Sequence, residues 1–499
     1  MMAMSSPTLG IDLGTSGVKA LLLDGDGVVG TAHAPLGVSR PRPGWSEQTP
    51  DQWWQATCAC LDELAAAHPV TLRAVRAIGL SGQMHGATLL DADDRVLRPC
   101  ILWDDGRSAP QCAQLEAAAP RLREISGNVA MPGFTAPKLL WVREHEPDVF
   151  ARIRRVLLPK AWLRWRLCGE AIEDLSDASG TLWLDVARRR WSDELLRACG
   201  LDKTQMPRLV EGTMPAGELL AAWVERWGFE HVPLIAGGAG DNAAGAVSLG
   251  AVNAGDAFLS LGTSGVLWVT TPAHAPAPER GVHAFCHALP QTWHQMGVLL
   301  SAAASLAWWA ACTGQDESRL LGKLPAQAVA SAPCWFLPYL NGERTPHNDA
   351  TVRGAFTHLS AGVTRAQMTQ AVLEGVAHAF RDARDALASA GTRLGAADVI
   401  GGGARSDLWC DVLANMLDVP LYRAGDASHG PALGAARLAQ AALTGRMHFP
   451  RPLARRIFEP RPDLVRRYDE AHQRWSGLYP LMRRVPGAAA FSVDLEPVS

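Results

Sequence analysis

The chain has 499 residues, 48% of them hydrophobic and 19% charged. That length exceeds a single core and implies about two to four domains, and the composition excludes a disordered chain. Lys plus Arg (47) nearly balance Asp plus Glu (50), so no nucleic acid and no anionic membrane is an expected partner. Ten scattered cysteines include Cys58-Ala-Cys60 but no Cys-x-x-Cys pair, which reads as reduced thiols in a cytoplasmic protein. Met1 to Thr8 lacks the basic and apolar regions of a signal peptide. The longest apolar stretch, Val298 to Cys312, is shorter than the roughly 18–20 residues of a membrane span and reads as a buried helix between domains.

Strands are expected at 8–12 and 18–24, then from Val28 to Ala34 after a hairpin turn at Asp24-Gly25-Asp26-Gly27. Pro50 to Ala67 reads as a helix with Trp53, Trp54, Thr57, Leu61 and Leu64 on one face. Ala77 to Leu80 is a strand running into Ser81-Gly82-Gln83-Met84-His85-Gly86, and Ala87 to Leu90 is another. Helices follow at Thr135 to Glu144 and at Ala161 to Leu167, the second stopped by Gly169. Val232 to Ala236 is a strand ending in Gly237-Gly238-Ala239-Gly240-Asp241-Asn242. The opening pattern then returns at 257–270. Thr364 caps a long helix to about Gly391, and Val399-Ile400 leads into Gly401-Gly402-Gly403. Ser406 caps a helix to Leu417, Pro420 to Arg423 is a strand, and Gly430 to Thr444 is a closing helix. The Arg/Pro-rich tail after Pro450 carries no readable pattern. Both halves mix strands and helices, which implies an α/β duplication divided near 243–256 into units 1–245 and 246–499.

One hexapeptide, Leu-Gly-Thr-Ser-Gly-Val, occurs at Leu13–Val18 and again at Leu261–Val266. Each copy lies between apolar runs and reads as strand, tight turn, strand. Such a turn gathers backbone N–H groups into a concavity suited to phosphates, and Thr and Ser add hydroxyls. Two of them suggest two similar domains holding one polyphosphate. Asp12 precedes the first copy. A carboxylate beside phosphates needs a cation between them, and Mg²⁺ takes one or two carboxylates with phosphate oxygens. The plain alternative is a turn cap; with Gly14, Thr15, Ser16 and Lys19 following, the Mg²⁺ role is preferred. Asp241 at a strand end can accept a proton from a substrate hydroxyl, or N-cap a helix from Asn242 to Leu249; spacing leaves both open. Gly401 to Ser406 either presents bare backbone to a flat nucleoside or is simply a tight turn.

Two other patterns carry less. Gly25 to Gly30 fits Gly-x-Gly-x-x-Gly, but Val28-Val29 continue into a strand, so a hairpin is the better reading than a dinucleotide site. His283-Ala-Phe-Cys286-His287 reads as core or loop rather than a metal site.

Taken together, these residues resemble the FGGY family of sugar kinases, from Gly10 to about Arg437. The resemblance rests on Gly10-Ile-Asp-Leu-Gly-Thr-Ser-Gly-Val-Lys19, Trp45-Ser-Glu-Gln48 with Trp53-Trp54, Gly82-Gln-Met-His-Gly86 and Leu102-Trp-Asp-Asp-Gly-Arg107. It extends through Gly133 to Trp141, Gly240-Asp-Asn-Ala-Ala-Gly245, Ser260 to Gly265, Asn341-Gly-Glu-Arg-Thr-Pro-His347 and Gly401-Gly-Gly-Ala-Arg405. The departure from the common pattern is Gly237-Gly-Ala-Gly240 ahead of Asp241.

The resemblance implies two ribonuclease-H-like domains of the actin and hexokinase type with a cleft between them. It implies ATP and Mg²⁺, with Asp12 as the metal–phosphate aspartate and Asp241 as the catalytic base. The turns at Gly14–Gly17 and Gly262–Gly265, with Thr15, Ser16, Lys19 and Thr263, become phosphate loops, and Gly402, Gly403 and Ser406 an adenosine site. Met84 and His85 match the sugar-binding pair of the family's xylulose-specific members, where glycerol-specific ones carry Arg-Glu. Trp103, Asp104 and Asn242 line the same pocket. The implied reaction is ATP-dependent phosphorylation of D-xylulose at its C5 hydroxyl. Another ketose or polyol (ribulose, fuculose, glycerol) is the alternative, and an actin-like ATPase without a sugar is the reading from another class. The resemblance leaves room for a homodimer.

Overall fold

The computed structural model describes residues 6–328, 331–424, 429–452 and 455–485. Two seven-stranded mixed sheets form its frame. The first contains β1 (Thr8–Leu13), β2 (Gly17–Asp24), β3 (Gly27–Pro35), β4 (Ala77–Gly82), β5 (Pro215–Glu218), β6 (Leu234–Ala236) and β7 (Ala239–Gly240). Its order is β5-β6-β4-β1-β2-β3, with β7 also paired to β4. The second contains β8 (Ala257–Leu261), β9 (Gly265–Thr271), β10 (His283–Cys286), β11 (Trp293–Leu299), β12 (Ala397–Ile400), β13 (Leu421–Ala424) and β14 (Arg455–Phe458), in the order β10-β11-β9-β8-β12-β13-β14.

The sheets share one plan. An antiparallel hairpin carries each hexapeptide, β1/β2 in one and β8/β9 in the other. A parallel strand lies on its far side, β4 beside β1 and β12 beside β8, and a second parallel strand follows. An antiparallel edge strand closes each sheet. The expected duplication is therefore present in the strand order. Asp24-Gly25-Asp26-Gly27 makes the β2–β3 turn, so the Gly-x-Gly-x-x-Gly pattern lies in a hairpin.

The covering helices include α1 (Pro50–Ala67), α2 (Asp241–Leu249), α3 (Ala303–Thr313), α4 (Arg365–Ser389), α5 (Asp407–Leu417), α6 (Gly430–Thr444) and α7 (Pro462–Ser476). Period-two alternation sends Leu9, Ile11, Leu13, Val18, Ala20 and Leu22 to one face of the first sheet, against Trp53, Leu61 and Leu64 of α1. On the opposite face Leu21 and Leu23 meet Ala432 and Ala436 of α6. This contact is very close: a Cβ on Gly79 would stand 1.8 Å from the Ala435 carbonyl oxygen, and one on Gly434 1.8 Å from that of Ala244. Glycine at both positions lets α6 lie against β4 and α2. A helix from the end of the second half thus covers the first sheet. In the second sheet Leu259, Leu261, Leu267 and Val269 pack against Val372, Val376 and Phe380 of α4. Thr364 caps α4 in a reciprocal capping box with Gln367, and Ser406 caps α5.

Two expectations change. Val298 to Cys312 is not one helix: β11 runs to Leu299, and α3 starts at Ala303. The strand persists because β9 pairs with it along its length, Gly265 opposite Leu299. The helix starts where the carbonyls of Gly262 and Thr263 capture the N–H groups of Ala303 and Ala302. The described residues 455–485 of the tail also carry structure, edge strand β14 and α7, whose Leu464, Tyr468 and Trp475 join the second core. No helix of the described residues is long and apolar enough to cross a membrane, and all ten cysteines are free thiols.

Candidate active site

A cleft of about 290 Å³ opens between the two halves. Met84, His85, Trp103, Asp241 and Asn242 line it from the first half; Gly262, Thr263, His283, Phe285 and Arg344 line it from the second. Seven residues singled out in the sequence therefore meet in one place.

Asp241 is the first residue of α2, and Gly240, not Asp241, takes the N-cap position. The Gly240 N–H donates to Ser176 Oγ, which fixes the approach of the chain. Asp241 Oδ1 accepts from the Asn242 backbone N–H (2.7 Å) and from Asn242 Nδ2 (3.0 Å). That leaves Oδ2 to take a proton. Burial raises the Asp241 carboxyl to about 6, despite the two hydrogen bonds from Asn242.

His85 sits at φ 71°, a conformation rare for a non-glycine residue and held here by its surroundings. Its carbonyl accepts from Lys138 Nζ and Thr135 Oγ1, and its Nδ1 lies 2.8 Å from the Gly180 carbonyl oxygen. A carbonyl only accepts, so Nδ1 carries the proton and Nε2 is left as an acceptor. Burial drives the His85 imidazolium down to about 3, so the ring is neutral near pH 7. Met84 lies over Gly240, where a Cβ would come within 3.0 Å of its sulfur.

The first hexapeptide turn stands beside this cleft. Thr15 Oγ1 donates to Gln83 Oε1 (3.1 Å) and accepts from Trp103 Nε1 (3.0 Å), while Gln48 Nε2 donates to the Thr15 carbonyl (2.8 Å). Asp12 lies opposite Lys19 across β1/β2. Its Oδ1 is closed off from solvent with no hydrogen-bond partner among the described residues. Burial, then the Asp241 charge, raises the Asp12 carboxyl to about 7. An unsatisfied carboxylate oxygen next to a second carboxylate is a poor arrangement by itself and a good one around a divalent cation, so the donor set fits Mg²⁺.

Residues 8–248 match the model of the N-terminal domain of the FGGY family of carbohydrate kinases, and 257–443 that of the C-terminal domain. The chain belongs to the FGGY family. It is 54% identical over 437 residues to the xylulose kinase of Escherichia coli (strain K12), a match covering 87% of this chain and 90% of that one. The fold superposes with a TM-score of 0.94 on the crystal structure of a xyloylose kinase from Brucella ovis, at 53% identity over 96% of this chain and 99% of that one. At 18% identity the ADP-bound glycerol kinase of Plasmodium falciparum still shares the fold, with a TM-score of 0.83 over 96% and 98% of the two chains. The two sheets are thus the paired ribonuclease-H-like domains of an FGGY kinase, and kinases of this family use ATP.

In this FGGY kinase a second cavity, of about 380 Å³, is lined by Gly402, Gly403 and Ser406 with Ala303, Leu306 and Trp409. It adjoins the second hexapeptide turn: a Cβ on Gly401 would lie 3.0 Å from the Gly262 nitrogen. A Cβ on Gly402 would meet nothing within 4 Å, so its bare backbone faces open space that a flat ring can fill. Ser406 Oγ also accepts the Trp409 N–H as the α5 cap.

The remaining sequence candidates are placed apart. Asp104 is exposed at the rim, ion-paired with Arg40 at 3.0 Å. Asp12, Gly14, Thr15, Ser16 and Lys19 line neither of these two cavities; Thr15 reaches the cleft through Trp103. The sequence assigns no role to Arg344 within Asn341-Gly-Glu-Arg-Thr-Pro-His347, and His283 and Phe285 read there as core or loop. Those two are alternate residues of β10, and that spacing puts them on one face, which the fold turns to the cleft.

Proposed function

We propose that the chain catalyses ATP + D-xylulose → ADP + D-xylulose 5-phosphate, a step of pentose catabolism. The observation that carries the reading is the meeting of Met84 and His85 with Asp241 and Asn242 in one cleft, in a chain 54% identical to a xylulose kinase. A sugar hydroxyl is a weak nucleophile, so the site must supply orientation and charge neutralisation. Asp241 Oδ2 orients the C5 hydroxyl and takes its proton as the oxygen bonds to phosphorus. His85 Nε2 accepts from a second hydroxyl, and Met84 and Trp103 give the sugar apolar walls. Asp104, at the rim, limits the same pocket. Backbone N–H groups of the turns at Gly14–Ser16 and Gly262–Thr263 hold phosphate oxygens, with Lys19 adding positive charge. The Gly402, Gly403 and Ser406 cavity takes the adenosine.

Asp12 would hold Mg²⁺, which when bound offsets the negative charge of the phosphates. In this reading residues 1–245 form the sugar side and 246–499 the nucleotide side, with α6 lent back to the first sheet, and the reaction is cytoplasmic. A coupled ADP-release assay over D-xylulose, D-ribulose, L-fuculose, glycerol and no sugar tests it. D-xylulose should give the highest kcat/KM by at least about tenfold. A higher value for another substrate, or ADP release independent of sugar, overturns it.

A further inference from the structure

The cleft holds a cation whose role neither the hexapeptides nor the Met84-His85 pair explains. The Arg344 side chain lines it, and among the described residues no carbonyl or side chain accepts a hydrogen bond from the guanidinium. The other interior arginines differ. Arg107 pairs with Asp105 and Glu47, Arg98 with Glu47 and Glu146, and Arg189 with Glu211. Arg164 and Arg437 donate to backbone carbonyls. Arg344 alone among these six faces a cavity with its donors unspent.

Its backbone is fixed. Glu343 Oε1 accepts the Arg344 N–H (2.8 Å) and the Leu300 N–H (3.0 Å). Thr345 and Val298 exchange two hydrogen bonds, Thr345 N–H to the Val298 carbonyl and Val298 N–H to Thr345 Oγ1. The guanidinium therefore starts from a stretch pinned to the end of β11 and crosses toward the first half, its Nη2 4.0 Å from where a Cβ on Gly133 would be. Its charge bears on His85 and His283, so it stands on the His85 side of the cleft. Burial holds the Glu343 carboxyl up to about 8, so near pH 7 that neighbour is largely neutral and leaves the guanidinium charge uncancelled.

Arginine only donates, and His85 Nε2 only accepts. A donor fork facing an acceptor, between the apolar walls of Met84, Phe285 and Val298, suits a small polyhydroxylated ligand bearing a carbonyl or hydroxyl oxygen for the fork and an O–H for the imidazole. We propose that Arg344 is a sugar-binding residue supplied by the second half: its guanidinium donates to oxygens of the bound ketose, so that an occupied cleft ties the two halves together. This rests on the D-xylulose reading above.

The test compares wild type with Arg344→Met and Arg344→Lys. KM for D-xylulose and KM for ATP are measured separately, with D-xylulose binding in the absence of nucleotide followed by calorimetry. Arg344→Met should raise the sugar KM and Kd about 10–100-fold, the loss of one or two charge-assisted hydrogen bonds. The ATP KM should stay within about twofold. Arg344→Lys keeps the charge without the fork and should fall between. A sugar KM within threefold of wild type for Arg344→Met, or a larger effect on ATP than on sugar, overturns the proposal. If Arg344→Met does not fold, Arg344→Lys carries the comparison by the same criterion. If wild type prefers another sugar, the D-xylulose reading falls, and the same KM split measured on that sugar decides Arg344.

Discussion

The two hexapeptides are identical in sequence and differ in what they touch, and the difference lies in a register shift of one residue. In the first hairpin Leu13 pairs with Val18 and Asp12 with Lys19. In the second Leu261 pairs with Gly265 and Ser260 with Val266. A one-residue slip turns every side chain of a strand to the opposite face. Val18 accordingly packs into the core with Leu13, and Lys19 shares a face with Asp12. In the second copy Leu267, which stands where Lys19 does, packs into the core with Leu259, and Val266 lines the cleft beside Ser260. The tighter second hairpin also directs the carbonyls of Gly262 and Thr263 onto the start of α3, while the looser first one ties Thr15 to Gln83 and Trp103. The first copy carries Asp12 and Lys19 on one face and reaches the cleft through Trp103. The second carries no charge, lines the cleft itself with Gly262, Thr263 and Val266, and holds the start of α3, whose Ala303 lines the second cavity.

In the proposed reaction both turns hold phosphate and Asp241 takes the proton. Asp241→Ala should lower kcat about 10²–10⁴-fold while ADP binding, measured by calorimetry, stays within about twofold. A kcat within tenfold of wild type would remove Asp241 from the chemistry. Next in size is the asymmetry at the residue before each hexapeptide. Asp12→Asn should cost about 10²–10³-fold in kcat and abolish the response to Mg²⁺, whereas Ser260→Ala should stay within about threefold. Equal losses at both positions would mean that the register shift carries no functional division.

The pH dependence separates the same two carboxylates. As the proposed base Asp241 works only when ionised, so kcat/KM should rise with pH through about 6 and level off above it. A proton on Asp12 competes with a cation, so the Mg²⁺ concentration for half-maximal rate should fall as pH rises past about 7. Stability follows the same sign. The folded Asp12 pKa, raised by burial above the ordinary carboxylate value, means that the folded state holds the proton more tightly. Its contribution is complete below the unfolded value of 3.8 and is lost as pH climbs through about 7. Ligand-free Asp12→Asn should therefore melt above wild type at pH 8, and the gap should close toward pH 4. A gap that stays constant with pH would show that Asp12 is not the group responsible.

Much of this was legible in local chemistry. The Thr364 and Ser406 caps, the Asp24-Gly25-Asp26-Gly27 hairpin and the repeat itself depend on neighbours a few residues away, and each stands in the structure as expected. What was not legible depends on distant partners. No local signal in Gly79 states that Ala435 will pack against it. Nothing in six identical residues states which register their hairpin will take, because the surrounding sheets settle it. Val298 to Cys312 is apolar enough for a helix, and pairing with β9 keeps its first residues in a strand. Spacing alone leaves Asp241 between base and cap, because both need a carboxylate at a helix start, and only the family resemblance favours the base. Gly240 occupies the cap position, which removes the second option.

The finest test of the two turns is the same conservative change made in each. Valine keeps the shape of threonine and deletes the hydroxyl. Thr263 is exposed at the cleft, and among the described residues its hydroxyl has no partner, so Thr263→Val removes a group available to phosphate. It should raise the ATP KM about three- to tenfold with little change in the sugar KM, a loss of about 1 kcal/mol. Thr15→Val instead strands the Trp103 N–H and the Gln83 carbonyl, both now held by that hydroxyl. Trp103 lines the sugar cleft, so this change should act on the sugar KM by a similar factor through a displaced indole, visible as a change in tryptophan fluorescence on adding sugar. The prediction is therefore a crossed one: the same substitution in the same hexapeptide moves different substrates. If both variants raise the ATP KM alike and leave the sugar KM alone, the contacts of Thr15 with Trp103 and Gln83 do not govern the site, and the two copies act as equals toward the nucleotide.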